Sequence, residues 1–123
     1  MEIKLVKFKR VFVPHVNFRF ETDPLLKMAE NIVYICKGPI FDDMIDIEHS
    51  DRFEKNIVKA FADFNPDEDV IADYGDALIF AMSVFYLGLY WDEINIARYS
   101  SKKSEYLVRP LIVSEYYKYE EMP

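Results

Sequence analysis

The chain opens with a period of two: Val16, Phe18 and Phe20 are apolar while Asn17, Arg19 and Glu21 are polar, the signature of a strand with one buried face. An apolar and basic run, residues 3–13, precedes it, and Pro14 between the two predicts a break and hence a two-stranded start. The spacing then changes. Leu25, Met28, Ala29, Ile32 and Cys36 recur at three and four, behind Asp23 as N-cap and Pro24 in the first turn, and Gly38-Pro39 supplies a stop. A helix over residues 23–37 is predicted.

Residues 40–49 are mixed and read as loop or as a short helix. Ser50 can then cap a helix with Phe53, Ile57, Val58, Phe61 and Phe64 on its apolar face, ended by Asn65-Pro66. Asn65 with Glu68 three residues on has capping-box spacing, and a long helix over residues 70–87 follows, with Val70, Ile71, Tyr74, Ala77, Leu78, Ala81 and Phe85 on one face. Apolar residues soon encircle that helix, which predicts burial on several sides. Residues 92–101 suit a short helix or a strand, and the alternation of Ile94 and Ile96 with Asn95 and Ala97 favours the strand. A polar turn at 100–105 and a run of strand formers from Tyr106 to Tyr117 complete a hairpin, with Pro110 marking a sheet edge. The fold class expected is α+β, with N-terminal and C-terminal strands flanking a helical middle that holds one long buried helix. The 123 residues suit a single domain, 1–123.

Composition narrows the setting. The chain is 51% hydrophobic and 16% aromatic, unlike disordered sequences. Its one cysteine, Cys36, has no internal disulfide partner and reads as core, and the first twenty residues lack the apolar stretch of a signal peptide, so a cytoplasmic setting is expected. Positions 77–91 carry no charge, but a helix of that length rises only about 22 Å, short of a bilayer core, and reads as buried in protein.

The net charge of −7 is unevenly spread. Residues 1–41 hold 4 acidic and 7 basic side chains, 42–76 hold 12 and 3, and 77–123 hold 6 and 5. The middle third therefore carries more than the whole excess. An acidic face bearing Asp42, Asp43, Asp46, Asp67, Glu68 and Asp69 fits two roles, a solvated surface or a mimic of nucleic-acid phosphates that occupies a partner's basic groove. Direct nucleic-acid binding through this region is disfavoured, because phosphate contacts need Lys and Arg. Lys4, Lys7, Lys9, Arg10 and Arg19 guard a sheet edge or grip an acidic partner, a second copy included.

Reactive motifs are scarce: there is no Gly-rich phosphate loop, HExxH, GxSxG or CxxC, and His15 and His49 lie in unlike segments as surface or hydrogen-bonded residues. Two acid pairs, Asp51 with Glu54 and Asp73 with Asp76, have the spacing that shares one helix face, and two such faces brought together would offer oxygen ligands to magnesium. Asp51-Arg52-Phe53-Glu54 and Asp73-Tyr74-Gly75-Asp76-Ala77-Leu78, followed by Leu87-Gly88 and Asp92-Glu93, resemble the ExxE and ExxD pattern of the MazG-like all-α nucleoside triphosphate pyrophosphohydrolases, with Asp in place of Glu at the first position of both pairs. That resemblance covers residues 51–103 and implies an all-helical core, magnesium on those four acids and phosphoanhydride hydrolysis. The residues themselves favour a non-enzymatic, cofactor-free protein that binds a basic, nucleic-acid-binding protein partner, of the kind phages and mobile elements make as inhibitors of host enzymes. A third reading is a structural subunit that self-associates through its strands. Tyr90, Trp91, Tyr99, Tyr106, Tyr116, Tyr117 and Tyr119 make the C-terminal third aromatic-rich, which reads mainly as core and sheet packing and includes interface anchors.

Overall fold

A computed structural model describes residues 7–17, 21–38 and 47–120, the side chains of 47–51 excepted. The elements run β1 (Phe8–Val16), α1 (Asp23–Leu26), β2 (Ala29–Lys37), α2 (Ile47–Ala60), β3 (Asp69–Ala72), α3 (Ala77–Gly88), β4 (Glu93–Ser100), β5 (Glu105–Ile112) and α4 (Glu115–Glu120). They form an α+β fold around one mixed sheet of order β2-β1-β3-β4-β5. The first four strands in this order are parallel, and β5 returns antiparallel to β4.

The helical middle is interrupted by two strands. Only residues 23–26 of the helix expected over 23–37 are helical, with Thr22 rather than Asp23 as N-cap, and 29–37 form β2. The consecutive β-formers Ile32, Val33, Tyr34 and Ile35 explain the outcome: Ile32 and Tyr34 pack on one side of the sheet and Val33 and Ile35 on the other. The long helix expected over 70–87 is likewise divided. Val70, Ile71 and Ala72 are wholly buried in β3, with Ile71 in one core layer and Val70 and Ala72 in the other, and such a two-sided run lacks the alternation that identifies a strand. Asn65 begins no helix. Its side chain accepts from Asp67 N–H at 3.0 Å and its carbonyl accepts from the N–H groups of Glu68 and Asp69, making a turn into β3. Ser50 lies inside α2 instead of capping it.

The break expected at Pro14 is also absent, because β1 runs through it as a central strand; Phe18 and Phe20 of the expected second strand lie outside the described residues. Phe8 N–H and Val16 C=O both bond toward β2, so Pro14, in the same register, forgoes one ladder bond. The ring is fully buried at this central position. Pro110 behaves as expected on edge strand β5: Val113 N–H donates to Asp92 C=O, which turns the odd-numbered donors toward β4 and leaves the missing N–H of Pro110 on the free edge.

Two apolar layers flank the sheet. α2, the turn after it and α3 cover Phe12, Ile71 and Ile94 with Phe53, Ile57, Phe61, Phe64, Ile79 and Leu87, and the Phe12 ring meets Phe61 tilted and Phe64 edge-on at centroid distances of 4.9 and 5.5 Å. On the other side Val11, Val13, Val70, Ala72 and Ala97 meet Leu25 of the single-turn α1. Small alanines there let so short a helix suffice, and Tyr106 of the β4–β5 hairpin adds to the cover. The crossover after β1 thus uses one face, the next two use the other, and strand order reverses at β1 and β3. No helix among the described residues is long and apolar enough to cross a membrane.

At that reversal β1 and β3 pair only through Arg10–Phe12 with Asp69–Ile71, and beyond it His15 fills the fork. Asp76 N–H donates to His15 Nδ1 at 2.9 Å, and His15 Nε2 lies 2.7 Å from Gly38 C=O. An N–H can only donate and a carbonyl only accept, so the ring is the neutral tautomer protonated at Nε2. Gly75, with φ +85, lies against the same histidine, and a Cβ there would fall 2.3 Å from His15 O. Gly38 has φ +93 but open space around it. Urea denaturation should therefore separate the two: Gly38→Ala loses about 1 kcal/mol for its backbone conformation alone, and Gly75→Ala loses more than about 3 kcal/mol by adding a clash with β1. Equal losses would mean that the contact with His15 costs nothing.

Candidate functional site

α3 begins where the Asp76 carboxylate accepts from the N–H groups of Leu78 and Ile79, at 2.9 and 3.2 Å. Ile79, Ser83 and Leu87 form its buried stripe, and the Ser83 hydroxyl is satisfied by donating to Ile79 C=O at 2.7 Å. The face predicted to be core is the outer one. Leu78 is exposed, Phe85 is 70% exposed, and just past the helix Leu89 and Tyr90 are 61% and 67% exposed. A helix apolar all round gives no polar face from which to tell inside from outside, and here the sheet covers only one side. Beside this face, α2 contributes Ile57 and Val58 to a groove of about 470 Å³ completed by Ala81, Met82, Phe85 and Tyr86, with Glu54 at its rim.

The apolar surface runs into acid at its far end. Tyr90 and Trp91 lead to exposed Asp92 and Glu93, and a second hollow of about 270 Å³ is lined by Pro66, Asp67, Trp91, Asp92 and Glu93. Asp92 is already engaged, since its carboxylate accepts from Ser114 N–H and Oγ–H at 2.8 Å each. Glu93, beyond the acidic middle third in sequence, joins this cluster in the fold. Of the six acids expected on one face, Asp67 lines this hollow and Glu68, next to it in the turn, is exposed, while Asp42, Asp43 and Asp46 lie outside the described residues.

Asp69 is withdrawn from the surface entirely. It is 0% exposed and takes Arg10 through two oxygens, Nε to Oδ1 at 3.1 Å and Nη2 to Oδ2 at 2.7 Å, while Asn65 N–H donates to Oδ2 at 2.8 Å. The reason is register: Asp69 is the β3 partner of Arg10 on the central strand. Arg10 also donates to the Asp63 carboxylate and carbonyl, at 3.0 and 2.8 Å, and its guanidinium holds the Asp63 carboxyl below the usual carboxylate range. The arginine expected to guard an edge is thus the bidentate partner of a buried acid.

The spacing that would set both acid pairs on helix faces does not do so for the second pair. Asp73 and Asp76 lie in the loop after β3, not on a helix, and Asp76 is occupied as the α3 cap. Glu54 is exposed on α2, and the Asp51 side chain lies outside the described residues. Among the described residues no three His, Cys, Asp or Glu side chains gather as a metal site, and the all-helical core implied by the resemblance is replaced by the five-stranded sheet. Cys36 is buried, and desolvation raises its thiol pKa against the weak opposing contact from Asn56 at 3.9 Å, which disfavours the thiolate. Comparison with known proteins finds no matching family model, no matching curated protein and no matching solved structure.

Three adjacent acids thus have unlike roles. Asp67→Asn and Glu68→Gln should each change the urea-derived stability by less than about 0.5 kcal/mol. Asp69→Asn, which leaves Arg10 facing a buried neutral amide, should cost about 3 kcal/mol or more. Comparable effects at all three positions would contradict the buried pair.

Proposed function

We propose that this chain is a non-enzymatic partner-binding protein that docks through the outer face of α3 and its acidic end. The observation that carries the reading is a surface helix with no charged side chain, whose exposed residues include Phe85, beside an apolar groove. Contiguous exposed apolar surface is unfavourable in water and marks interaction sites. Asp67, Glu68 and Glu93 at one end set the chemistry of the partner, an apolar patch bordered by Lys and Arg. Nucleic-acid-binding proteins present such basic surfaces, and occupying one would block phosphate contacts there. Among the described residues, His15, Gly75 and the Asp76 backbone occupy the fork at the strand-order reversal, where a doubly wound sheet ordinarily admits a small ligand, and this supports a reading in which the surface does the binding.

Site-specific photo-crosslinking tests this reading. A photoreactive phenylalanine analogue at Phe85 or Leu89 should capture one basic protein, while the same probe at Lys27, exposed beside α1, should not. Replacing Asp67, Glu68 and Glu93 with Asn, Gln and Gln should slow association with that protein about tenfold at low salt. Capture of equal strength from all three positions, or from Lys27 alone, would place the interface elsewhere.

A further inference from the structure

The helix layer ends at α3 and leaves the outer part of the β4–β5 hairpin without a covering helix on that side. An open groove of about 1130 Å³ lies there, between the hairpin and α4. Register fixes what faces it. Ile96 pairs with Arg109 and Arg98 with Leu107, so the two arginines share one face of the sheet on diagonal positions of neighbouring strands. Both are exposed, and among the described residues neither guanidinium has a hydrogen-bond or ion-pair partner. In a chain with 22 acidic side chains, two unpaired arginines side by side are set apart from the general charge balance.

The local charge agrees. Residues 98–109 hold Arg98, Lys102, Lys103 and Arg109 against the single acid Glu105, a net of +3 within a protein of −7. Lys102 and Lys103 stand at the hairpin tip, exposed, and extend the basic strip along the strand direction. Asp73 and Glu115 are the acids of the groove lining, and Glu115 already accepts from Lys118 Nζ at 3.1 and 3.2 Å. From α4, Tyr116 and Tyr119, spaced three apart on one helix face, line the opposite wall with their rings exposed.

We infer that this groove binds single-stranded nucleic acid, with Arg98, Arg109 and the tip lysines along the backbone and Tyr116 and Tyr119 as stacking platforms. Cationic tracking of phosphates combined with exposed aromatic rings is the physical basis of sequence-tolerant single-strand binding. An acidic peptide would use the arginines but leave two exposed tyrosine rings without a role, and a duplex would hide the base faces from them. A peptide added as a further strand on β5 would also meet Pro110, whose missing donor lies on the free edge. The inference does not rest on docking through α3, because it concerns other residues and is tested on the isolated protein.

Fluorescence anisotropy of the full chain with labelled oligothymidylate and oligouridylate of about fifteen nucleotides, with a duplex and with polyglutamate as competitors, tests it. Arg98→Gln with Arg109→Gln should weaken single-strand binding at least tenfold and flatten the slope of log affinity against log salt by about 1.4, the loss of two phosphate contacts. Tyr116→Ala with Tyr119→Ala should weaken binding by about tenfold and leave that slope unchanged. All four side chains are exposed, so an unchanged melting temperature verifies the fold of each variant. No saturable single-strand binding at low salt, or binding that both double variants retain, would overturn the inference. Displacement by polyglutamate as effective as by the oligonucleotide, with no effect of the tyrosine variant, would overturn it in favour of an acidic protein segment.

Discussion

The buried ion pair between Arg10 and Asp69 sets the geometry on which the other elements depend. A carboxylate with no exposure is tolerated only if its charge and lone pairs are met, and Arg10 meets it bidentately while the Asn65 amide supplies a further bond. Because Arg10 is on β1 and Asp69 opens β3, the pair fixes their register. Because Arg10 also holds Asp63, it anchors the turn after α2 to the same strand. The guanidinium lies 5.0 Å from the Phe12 ring, so the polar clamp adjoins the aromatic cluster of Phe12, Phe61 and Phe64. One end of β1 is thus secured by charge and the other by the neutral His15 between Gly38 and Asp76.

The second clamp sits where the strand order reverses. Parallel sheets whose order reverses leave a crevice at the reversal, and among the described residues a histidine and a close-packed glycine occupy the fork there. α3 lays one stripe on the sheet and leaves an uncharged face outward, while the hairpin beyond it gathers two arginines without an ion-pair partner among the described residues. Both features lie on the helix-covered side of the sheet, so a protein seated on α3 and a strand in the hairpin groove would approach this chain from the same side.

Much of the fold is legible in the sequence where one physical rule acts alone. Ile94 and Ile96 identify β4, Pro110 marks β5 as an edge, and Phe53, Ile57 and Phe61 place the buried face of α2. The misreadings arise where a pattern serves two structures. Leu25, Met28, Ala29 and Ile32 satisfy helical spacing, yet Ile32 to Ile35 also suits a strand apolar on both faces. Val70 to Ala72 is too short and too uniformly apolar to show its period. The site is legible to the same degree. Exposure of Asp67 and Glu68 follows from their place in a polar turn, whereas the burial of Asp69 depends on a partner 59 residues away. Likewise the apolar residues of α3 predict a buried helix, and only the extent of the sheet shows which of them stay outside.

The central claim is that the outer face of α3 belongs to a partner and not to this fold. Thermal unfolding of a Phe85→Lys, Leu89→Lys double variant, alone and with the protein captured from Phe85, tests it most directly. The account predicts that alone the variant melts within about 4 °C of the native chain, as exposed substitutions should. It further predicts that the partner raises the melting temperature of the native chain only. A variant that melts more than about 10 °C lower by itself, or one that the partner stabilises as strongly as the native protein, would contradict the account.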